Sequence, residues 1–443
     1  MDWLTYRNEL RPRRRGAARK ALAARFQGAT AERSDLSQSV GAGMRNEPLY
    51  SVVPYKEAFS PVLVREVLEL SGVREGSLVD PFAGAGTSLL VAAEQGLCAV
   101  GVDILPFSAF AARTLLRAST ARWDVIDASL RDVLAHPKSP RGRFPDFPVR
   151  DWAFGPAALT ELCDLSTSIS ALDSGIERDV MRLALLSSVE LMSQATKDGT
   201  SLRKRPHSCG RPGRYGKRHT RTQVQACFEE KLDLLREGAT TQPSPQPKST
   251  ALTGDARDLH ALLGDRDPFD VAVFSPPYPN RYDYVGNYQL ELGFGFVPDA
   301  EALRVLRKRQ LRSHLEAPWA EQRTLELAAL DEFLSAYMAS GLRSGEAGRV
   351  FRMVSGYFED MAKVLSGLRA VMRPGSIVAM VVGTQVFGGE ALPTDLLLAE
   401  IAELQGYSVK EIWMARAKGM AVQQRSRASK AVTSREVVLI LVT

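Results

Sequence analysis

Residues 77–103 read SLVDPFAGAGTSLLVAAEQGLCAVGVD, and this stretch decides the fold of the chain. A short apolar strand that ends at Asp80 leads into a glycine turn, which opens a helix that runs to about Gln95. A second apolar strand, Cys98 to Val102, ends at Asp103. Because two strands joined by a crossover helix run side by side in the same direction, the pattern predicts a parallel α/β sheet.

The glycine turn favours a nucleoside ligand with a positively charged tail. Asp103 lies 19 residues after Gly84, about the spacing at which a carboxylate reaches a ribose diol. Leu89 stands where a dinucleotide fingerprint has its third glycine, and the Asp80 carboxylate repels a pyrophosphate but attracts a sulfonium. S-adenosylmethionine fits these residues. A tight turn that needs glycine only for its backbone is the alternative interpretation.

A second stretch, Phe269–Phe274 followed by Ser275-Pro276-Pro277-Tyr278, reads as a buried strand that ends at two prolines. Such strand ends are where open α/β sheets bind ligands. The Ser275 side-chain oxygen and the Pro276 carbonyl can accept hydrogen bonds from an amino group on a nucleobase. Tyr278 can stack on the base for about 1–3 kcal/mol, which is comparable with the few kcal/mol that base flipping costs.

Composition restricts the class of protein further. The chain has 443 residues, of which 45% are hydrophobic and 24% are charged, as in ordinary globular proteins. No apolar run approaches the roughly 20 residues that span a bilayer, and the first residues lack the apolar core of a secretory signal. The four cysteines form no CxxC pair, so neither a metal site nor a disulfide framework is predicted. We expect a reduced, cytoplasmic protein.

The positive charge is concentrated locally. Formal net charge is +6, and residues 201–221 contain eight Arg or Lys and no acidic residue. Residues 11–20 form a second arginine-rich block. Such blocks are typical of contacts with a polyanion, although a solvated loop remains the alternative for each.

DPFAGAGT at residues 80–87 together with SPPY at residues 275–278 resembles the amino-group DNA methyltransferases. That family modifies cytosine N4 or adenine N6 with S-adenosylmethionine. The resemblance implies an α/β, Rossmann-like S-adenosylmethionine-dependent methyltransferase fold, with a mostly parallel seven-stranded sheet and a largely helical insertion. It also implies double-stranded DNA as the partner.

The same resemblance implies roles for individual residues. Residues 56–61 (KEAFSP) resemble the segment before the family's glycine loop, where Phe59 would pack on the cofactor. The methionine moiety is expected near the loop, the ribose at Asp103 and the adenine amino group near Asp255. The loop residues implied are Asp80, Phe82, Gly84, Gly86 and Thr87, and the catalytic residues are Ser275, Pro276, Pro277 and Tyr278.

By this resemblance the chain divides into three parts. Residues 1–49 are a basic N-terminal extension, residues 50–117 and 250–443 form the catalytic domain, and residues 118–249 form a helical and basic insertion. In related enzymes an insertion between the two motifs often recognises the target sequence, so residues 118–249 are the candidate target-recognition region. The expected DNA contacts are Arg203, Lys204, Arg205, Arg211, Arg214, Lys217, Arg218 and, after the second motif, Arg281.

The choice of base depends mostly on Ser275. Within the family, serine at this position is typical of N4-cytosine enzymes, and aspartate or asparagine is typical of N6-adenine enzymes. Methylation at cytosine C5 is disfavoured because no cysteine here follows a proline. We therefore expect a site-specific N4-cytosine DNA methyltransferase that flips its base, in a restriction-modification or defence system with a possible cognate endonuclease. An N6-adenine enzyme, an RNA amino-methyltransferase and a non-catalytic nucleic-acid-binding subunit remain alternatives.

Overall fold

The structure is a computed structural model that describes residues 16–38, 47–55, 58–135, 143–197, 201–204, 219–318, 324–339, 344–418 and 434–443. Its strands, in chain order, are β1 Thr30–Glu32, β2 Ser77–Asp80, β3 Cys98–Asp103, β4 Ala195–Thr196, β5 Arg203–Lys204, β6 Thr250–Thr253, β7 Phe269–Phe274, β8 Met372–Gly383, β9 Gln385–Phe387, β10 Glu390–Leu392, β11 Ser408–Lys418 and β12 Ser434–Val442.

The helices alternate with these strands in most of the catalytic region. They are α1 Ala17–Arg25, α2 Pro48–Val52, α3 Pro61–Ser71, α4 Thr87–Glu94, α5 Pro106–Arg117, α6 Trp123–Ala135, α7 Arg150–Ala153, α8 Pro156–Ser170, α9 Ile176–Val189, α10 Arg221–Thr241, α11 Leu259–Leu263, α12 Tyr284–Asn287, α13 Gln289–Leu292, α14 Ala300–Arg309, α15 Ala328–Ala339, α16 Ser344–Val371 and α17 Thr394–Leu404.

Eight of the described strands form a mostly parallel central sheet in the order β1-β11-β12-β8-β7-β2-β3-β6, and the pairs β4-β5 and β9-β10 form two small separate sheets. β12 runs antiparallel to both of its neighbours, and the other pairs are parallel. The predicted Rossmann-like fold is therefore confirmed. The expected count of seven strands was wrong by one, because β1 from the N-terminal segment adds an eighth strand to the edge at β11.

Successive residues of the central strands face opposite layers of helices. Leu78 and Val271 pack into the apolar cluster that includes α3, α4 and α5, whereas Val79 and Ala272 pack into the cluster that includes α16 and α17. All four side chains are fully buried. A parallel sheet covered on both faces explains why these strands are continuously apolar in sequence.

The remaining segments pack against this framework. Helices α8, α9 and α10 of the insertion share an apolar cluster with α4 and α5. The N-terminal helix α1 contributes Leu22 to the cluster on the opposite face, and Arg19 forms an ion pair with Glu332 of α15. Among the described residues, no helix combines the length and the apolar character that a membrane span requires.

Candidate active site

A cleft opens at the carboxyl ends of β2, β3 and β7. β2 lies between β3 and β7, so the chain connections diverge to opposite sides of the sheet at this point, which is where open α/β sheets bind ligands. The cleft measures about 810 Å³, including the space that is open to solvent. Residues from both sequence motifs line it, including Thr87 and Ser275.

Of the twelve residues that the sequence predicts to bind the cofactor or to catalyse transfer, eight line this cleft and four do not. Those that line it are Phe59, Phe82, Gly84, Thr87, Asp103, Asp255, Ser275 and Pro277. Asp80, Gly86, Pro276 and Tyr278 lie behind or beside these residues and are absent from the lining.

Asp80 holds the shape of the glycine loop. Its side chain is 1% exposed and accepts hydrogen bonds from the Phe82 amide, at 2.8 Å, and from the Ser88 hydroxyl. Burial raises the pKa of the Asp80 carboxyl to about 7, although both hydrogen bonds oppose this shift. The Asp80 carboxylate therefore bonds to other residues of the loop and does not line the cleft.

Asp103 joins the second strand to the same loop and faces the cleft. Its two carboxylate oxygens accept hydrogen bonds from the amides of Gly84, at 2.9 Å, and Leu105, at 2.8 Å. Burial raises its pKa to about 6 against the effect of those two amides. Each oxygen retains a lone pair that can accept a hydroxyl donor.

Two glycines of the loop are needed for different contacts. The Tyr55 ring packs closely against Gly84 (φ 51°), and a Cβ atom at this position would lie only 3.0 Å from Tyr55 Cε1. Gly86 (φ 88°) allows the first turn of α4 to approach α5, where a Cβ atom would lie 2.9 Å from the Cβ of Ala112. Both backbone conformations are in the left-handed region that favours glycine.

Asp255 lines the cleft from the end of β6 as half of an ion pair. Arg257 donates to both of its oxygens, at 2.9 and 2.6 Å, and also contacts Asp360 at 3.3 Å. Burial opposes ionisation, but the hydrogen bonds from Arg257 prevail and hold the pKa of Asp255 below its usual value. The group is therefore a fixed carboxylate acceptor at neutral pH.

The Ser275–Tyr278 turn is fixed by contacts with β8. The Ser275 hydroxyl donates to the Val381 carbonyl at 3.1 Å and lies 3.4 Å from the Tyr278 hydroxyl. The Tyr278 ring packs on Gly383, where a Cβ atom would lie 3.1 Å from the ring. Since the Ser275 proton is used on a backbone carbonyl, the lone pairs of its oxygen are available to a donor in the cleft.

Several residues of the site were missed by the sequence reasoning. Tyr55 lines the cleft, and so do four residues that end α14 or follow it: Arg309, Gln310, Leu311 and Ser313. Tyr284, which the sequence offered as a contact to the flipped strand, also lines the cleft. Asp283 accepts hydrogen bonds from Gln310 at 3.0 Å and from Arg307 at 2.5 Å, which ties this segment to the turn. The polar and aromatic run after the prolines signalled Tyr284, but no pattern distinguished residues 309–313.

The residues expected to contact DNA are placed only in part. Arg203 and Lys204 are exposed in β5, which pairs with β4. Arg281 does not line the cleft. It is held by an ion pair to Glu346 at 3.1 Å, and its guanidinium lies 5.5 Å from the Phe387 ring centroid. Arg205, Arg211, Arg214, Lys217 and Arg218 lie outside the described residues.

Most of the chain is similar to proteins of known class. A type II methyltransferase of Geobacillus stearothermophilus, M.BsoBI, is 27% identical over 435 residues that cover 86% of this chain and 83% of the relative. The similarity is to type II methyltransferases. M.AvaI of Nostoc sp. is also 27% identical, over 91% of this chain and 89% of its own. M.MjaII of Methanocaldococcus jannaschii is 34% identical over 73 residues, 16% of this chain and 14% of its own.

Other comparisons add little to this result. No family model matches the chain. Among solved structures, TrmN of Thermus thermophilus is 13% identical with a TM-score of 0.29, covering 87% of this chain and 49% of its own. The rRNA methyltransferase AviRa of Streptomyces viridochromogenes is 12% identical with a TM-score of 0.29, covering 92% of this chain and 94% of its own. The similarity to type II methyltransferases extends over 86–91% of the chain.

Proposed function

We propose that the chain is a site-specific DNA methyltransferase that transfers a methyl group from S-adenosylmethionine to the N4 amine of cytosine. One observation carries the proposal: the glycine loop with Asp103 and the turn with Ser275 and Pro277 line the same cleft. The similarity to type II methyltransferases over most of the chain supports the reaction class. The basic residues of the insertion and the resemblance in both motifs support DNA as the substrate.

The residues of the cleft fit the proposed cofactor. Asp103 offers lone pairs to a ribose diol, and the fixed carboxylate of Asp255 offers an acceptor to the adenine amino group. Phe59 and Phe82 supply apolar walls. Asp80 acts through the loop, since it does not line the cleft and bonds instead to Phe82 and Ser88. When bound, S-adenosylmethionine supplies an electrophilic methyl group on its sulfonium.

The turn after β7 acts on the target amine. The lone pairs of Ser275 Oγ and of the Pro276 carbonyl accept the two N–H bonds of the amine, which directs the nitrogen lone pair out of the ring system. With the methyl donor bound, these two acceptors would hold the amine for attack on the methyl group, S-adenosylhomocysteine would be the leaving group, and the proton lost by the amine would pass to solvent. Because the reactants are held in line, orientation supplies most of the acceleration. Extruding the cytosine from the duplex is required for it to reach the cleft.

The preference for cytosine rests on the resemblance. The Ser275 hydroxyl donates to Val381, so its oxygen offers an acceptor that the amine of either base could use. The resemblance associates serine at this position with N4-cytosine enzymes. A role in restriction-modification or defence, with a cognate endonuclease that the modification blocks, belongs to the same proposal.

The first experiment measures transfer from tritiated S-adenosylmethionine to unmethylated duplex DNA and, in parallel, to RNA. We expect label in DNA alone. Digestion to nucleosides and mass spectrometry should then find N4-methyl-2′-deoxycytidine. Finding N6-methyl-2′-deoxyadenosine instead would keep DNA as the substrate but make adenine the target base. Label in RNA alone would indicate an RNA methyltransferase. Binding of nucleic acid without any transfer would indicate a non-catalytic subunit.

A further inference from the structure

A buried ion cluster lies between the insertion and the catalytic region. Lys197, which follows β4, is 1% exposed, and its Nζ atom lies 2.6 Å from Glu291 and 3.1 Å from Glu190. Burying charges costs free energy unless they are paired. Methyl transfer as proposed uses none of these groups, so the cluster serves some other purpose.

The ammonium group also fixes an aromatic stack. Lys197 Nζ lies 4.0 Å from the ring centroid of Tyr288, a geometry in which the ring attracts the cation. Tyr288 is fully buried and stacks on Tyr55 with centroids 4.9 Å apart and planes 20° apart. Since both rings are held face to face, the position of Tyr55 depends on that of Tyr288.

The stack ends at the cofactor loop. Tyr55 lines the cleft, and its ring lies so close to Gly84 that a Cβ atom would be 3.0 Å away. The Gly84 amide in turn donates to Asp103. A continuous series of contacts therefore connects Lys197 of the insertion with the carboxylate expected to bind the ribose.

The charges of the cluster show why Lys197 is the central member. Glu291 is 1% exposed, and one of its oxygens has no hydrogen-bond partner among the described residues. Burial raises the pKa of its carboxyl to about 7, against the effect of Lys197. Glu190 is 13% exposed and reaches solvent, so it does not depend on the cation to the same extent.

We propose that Lys197 is a positioning residue for the cofactor: its ammonium holds Tyr288 and Tyr55 against the glycine loop. The insertion, which is the candidate target-recognition region, therefore also sets the affinity for the cofactor. This inference rests on the proposed function in taking the ligand of the cleft to be S-adenosylmethionine.

The test replaces the ion pair by neutral residues of similar size, in the double variant Lys197→Met/Glu291→Gln. Replacing both avoids leaving an unpaired buried charge. We expect the dissociation constant of S-adenosylhomocysteine, measured by calorimetry, to rise about tenfold, a usual size for coupling between sites. The KM for S-adenosylmethionine should rise in parallel, while kcat on duplex DNA changes less than about twofold, because only binding is affected.

A second pair of variants separates positioning from a general loss of structure. Tyr288→Phe keeps the ring and should keep the wild-type affinity, whereas Tyr288→Leu removes the stack and should lose about tenfold. The matched control is Arg19→Met/Glu332→Gln, which removes another ion pair with a 3% exposed carboxylate that does not line the cleft. This control should bind S-adenosylhomocysteine like the wild type.

Unchanged affinity in Lys197→Met/Glu291→Gln would overturn the inference, and so would an equal loss in Tyr288→Phe and Tyr288→Leu. If wild-type protein binds S-adenosylhomocysteine but methylates no DNA, the proposed function fails. The comparison of affinities still decides the role of Lys197 in that case.

Discussion

The two halves of the cleft are held in different ways. The hydrogen bonds that shape the glycine loop in the cofactor half join residues close in sequence: Asp80 bonds to Phe82 and Ser88, and Asp103 bonds to Gly84 and Leu105. The Tyr55 ring, which stacks on Tyr288, adds a packing contact from outside the loop. The half expected to hold the target base depends on distant partners. Ser275 bonds to Val381, 106 residues away, and Arg281 bonds to Glu346, 65 residues away.

This difference has a physical consequence for substitutions. Changes within the glycine loop, or in the rings packed on it, should act on cofactor binding. A turn that is held by β8 and α16 can be disturbed from several parts of the chain, and such changes should act on transfer. Each of the following predictions tests this separation.

The largest effect is expected for Tyr278→Ala. Its ring packs on Gly383 and is proposed to stack on the base, an interaction of about 1–3 kcal/mol, so transfer should fall about 100-fold. Affinity for S-adenosylhomocysteine, measured by calorimetry, should survive because Tyr278 lies outside the cofactor half. Tyr278→Phe keeps the ring and serves as the control, and lost cofactor binding in Tyr278→Ala would contradict the separation of the two halves.

Gly86→Ala should act on the opposite half. The new Cβ atom would lie 2.9 Å from Ala112 Cβ at φ 88°, so the loop must shift. We expect a loss of about 1–3 kcal/mol in the free energy of unfolding and about tenfold weaker binding of S-adenosylhomocysteine.

The matched control is Gly96→Ala, which has a similar φ of 75° but no atom within 4 Å of the new Cβ. It should lose stability through backbone strain and retain the cofactor affinity. Equal cofactor affinity in the two variants would show that the contact with Ala112 does not position the loop.

The buried carboxyls of the cofactor half predict a dependence of stability on pH. Burial raises the pKa of Asp80 from 3.8 to about 7 and that of Asp103 from 3.8 to about 6. The folded protein then binds more protons than the unfolded chain, so stability should fall as the pH rises from about 4 to about 7. Thermal unfolding without ligand measures this slope. Asp80→Asn should reduce the dependence of stability on pH. An unchanged dependence in this variant would show that Asp80 does not cause it.

The smallest effect is expected for Arg281→Ala. Arg281 has φ 75° and is paired with Glu346 outside the cleft lining, so it can contribute one phosphate contact at most. Binding of duplex DNA should weaken a few-fold, and the slope of log K against log salt concentration should decrease by about 1. Arg281→Lys keeps the charge and should keep the slope. A large loss of cofactor affinity in Arg281→Ala would again link the two halves.

The same contrast explains what the sequence could predict. The β-α-β unit and the glycine loop follow from patterns within about 30 residues, and the structure places Gly84, Thr87 and Asp103 at one cleft as the motif implied. The strand before Ser275 was equally clear, because two prolines end it. These features depend on local backbone chemistry, which periodicity and turn residues report.

Other parts of the site depend on tertiary contacts that leave no local signal. Residues 309–313 reach the cleft because Gln310 bonds to Asp283, and Tyr55 reaches it by stacking on Tyr288. β1 is short and largely exposed, so its sequence lacks the apolar pattern of a buried strand. The edge of β11 supplies its hydrogen bonds, and only the assembled sheet shows where it belongs.

The pairing of β1 with β11 also sets an order of events during synthesis. Thr30 pairs with Ile412, about 380 residues later in the chain. At about 5–20 residues per second, a ribosome needs roughly 20–80 s to supply that partner. β1 is therefore synthesised well before its partner, and it can join the sheet only after β11 has been made.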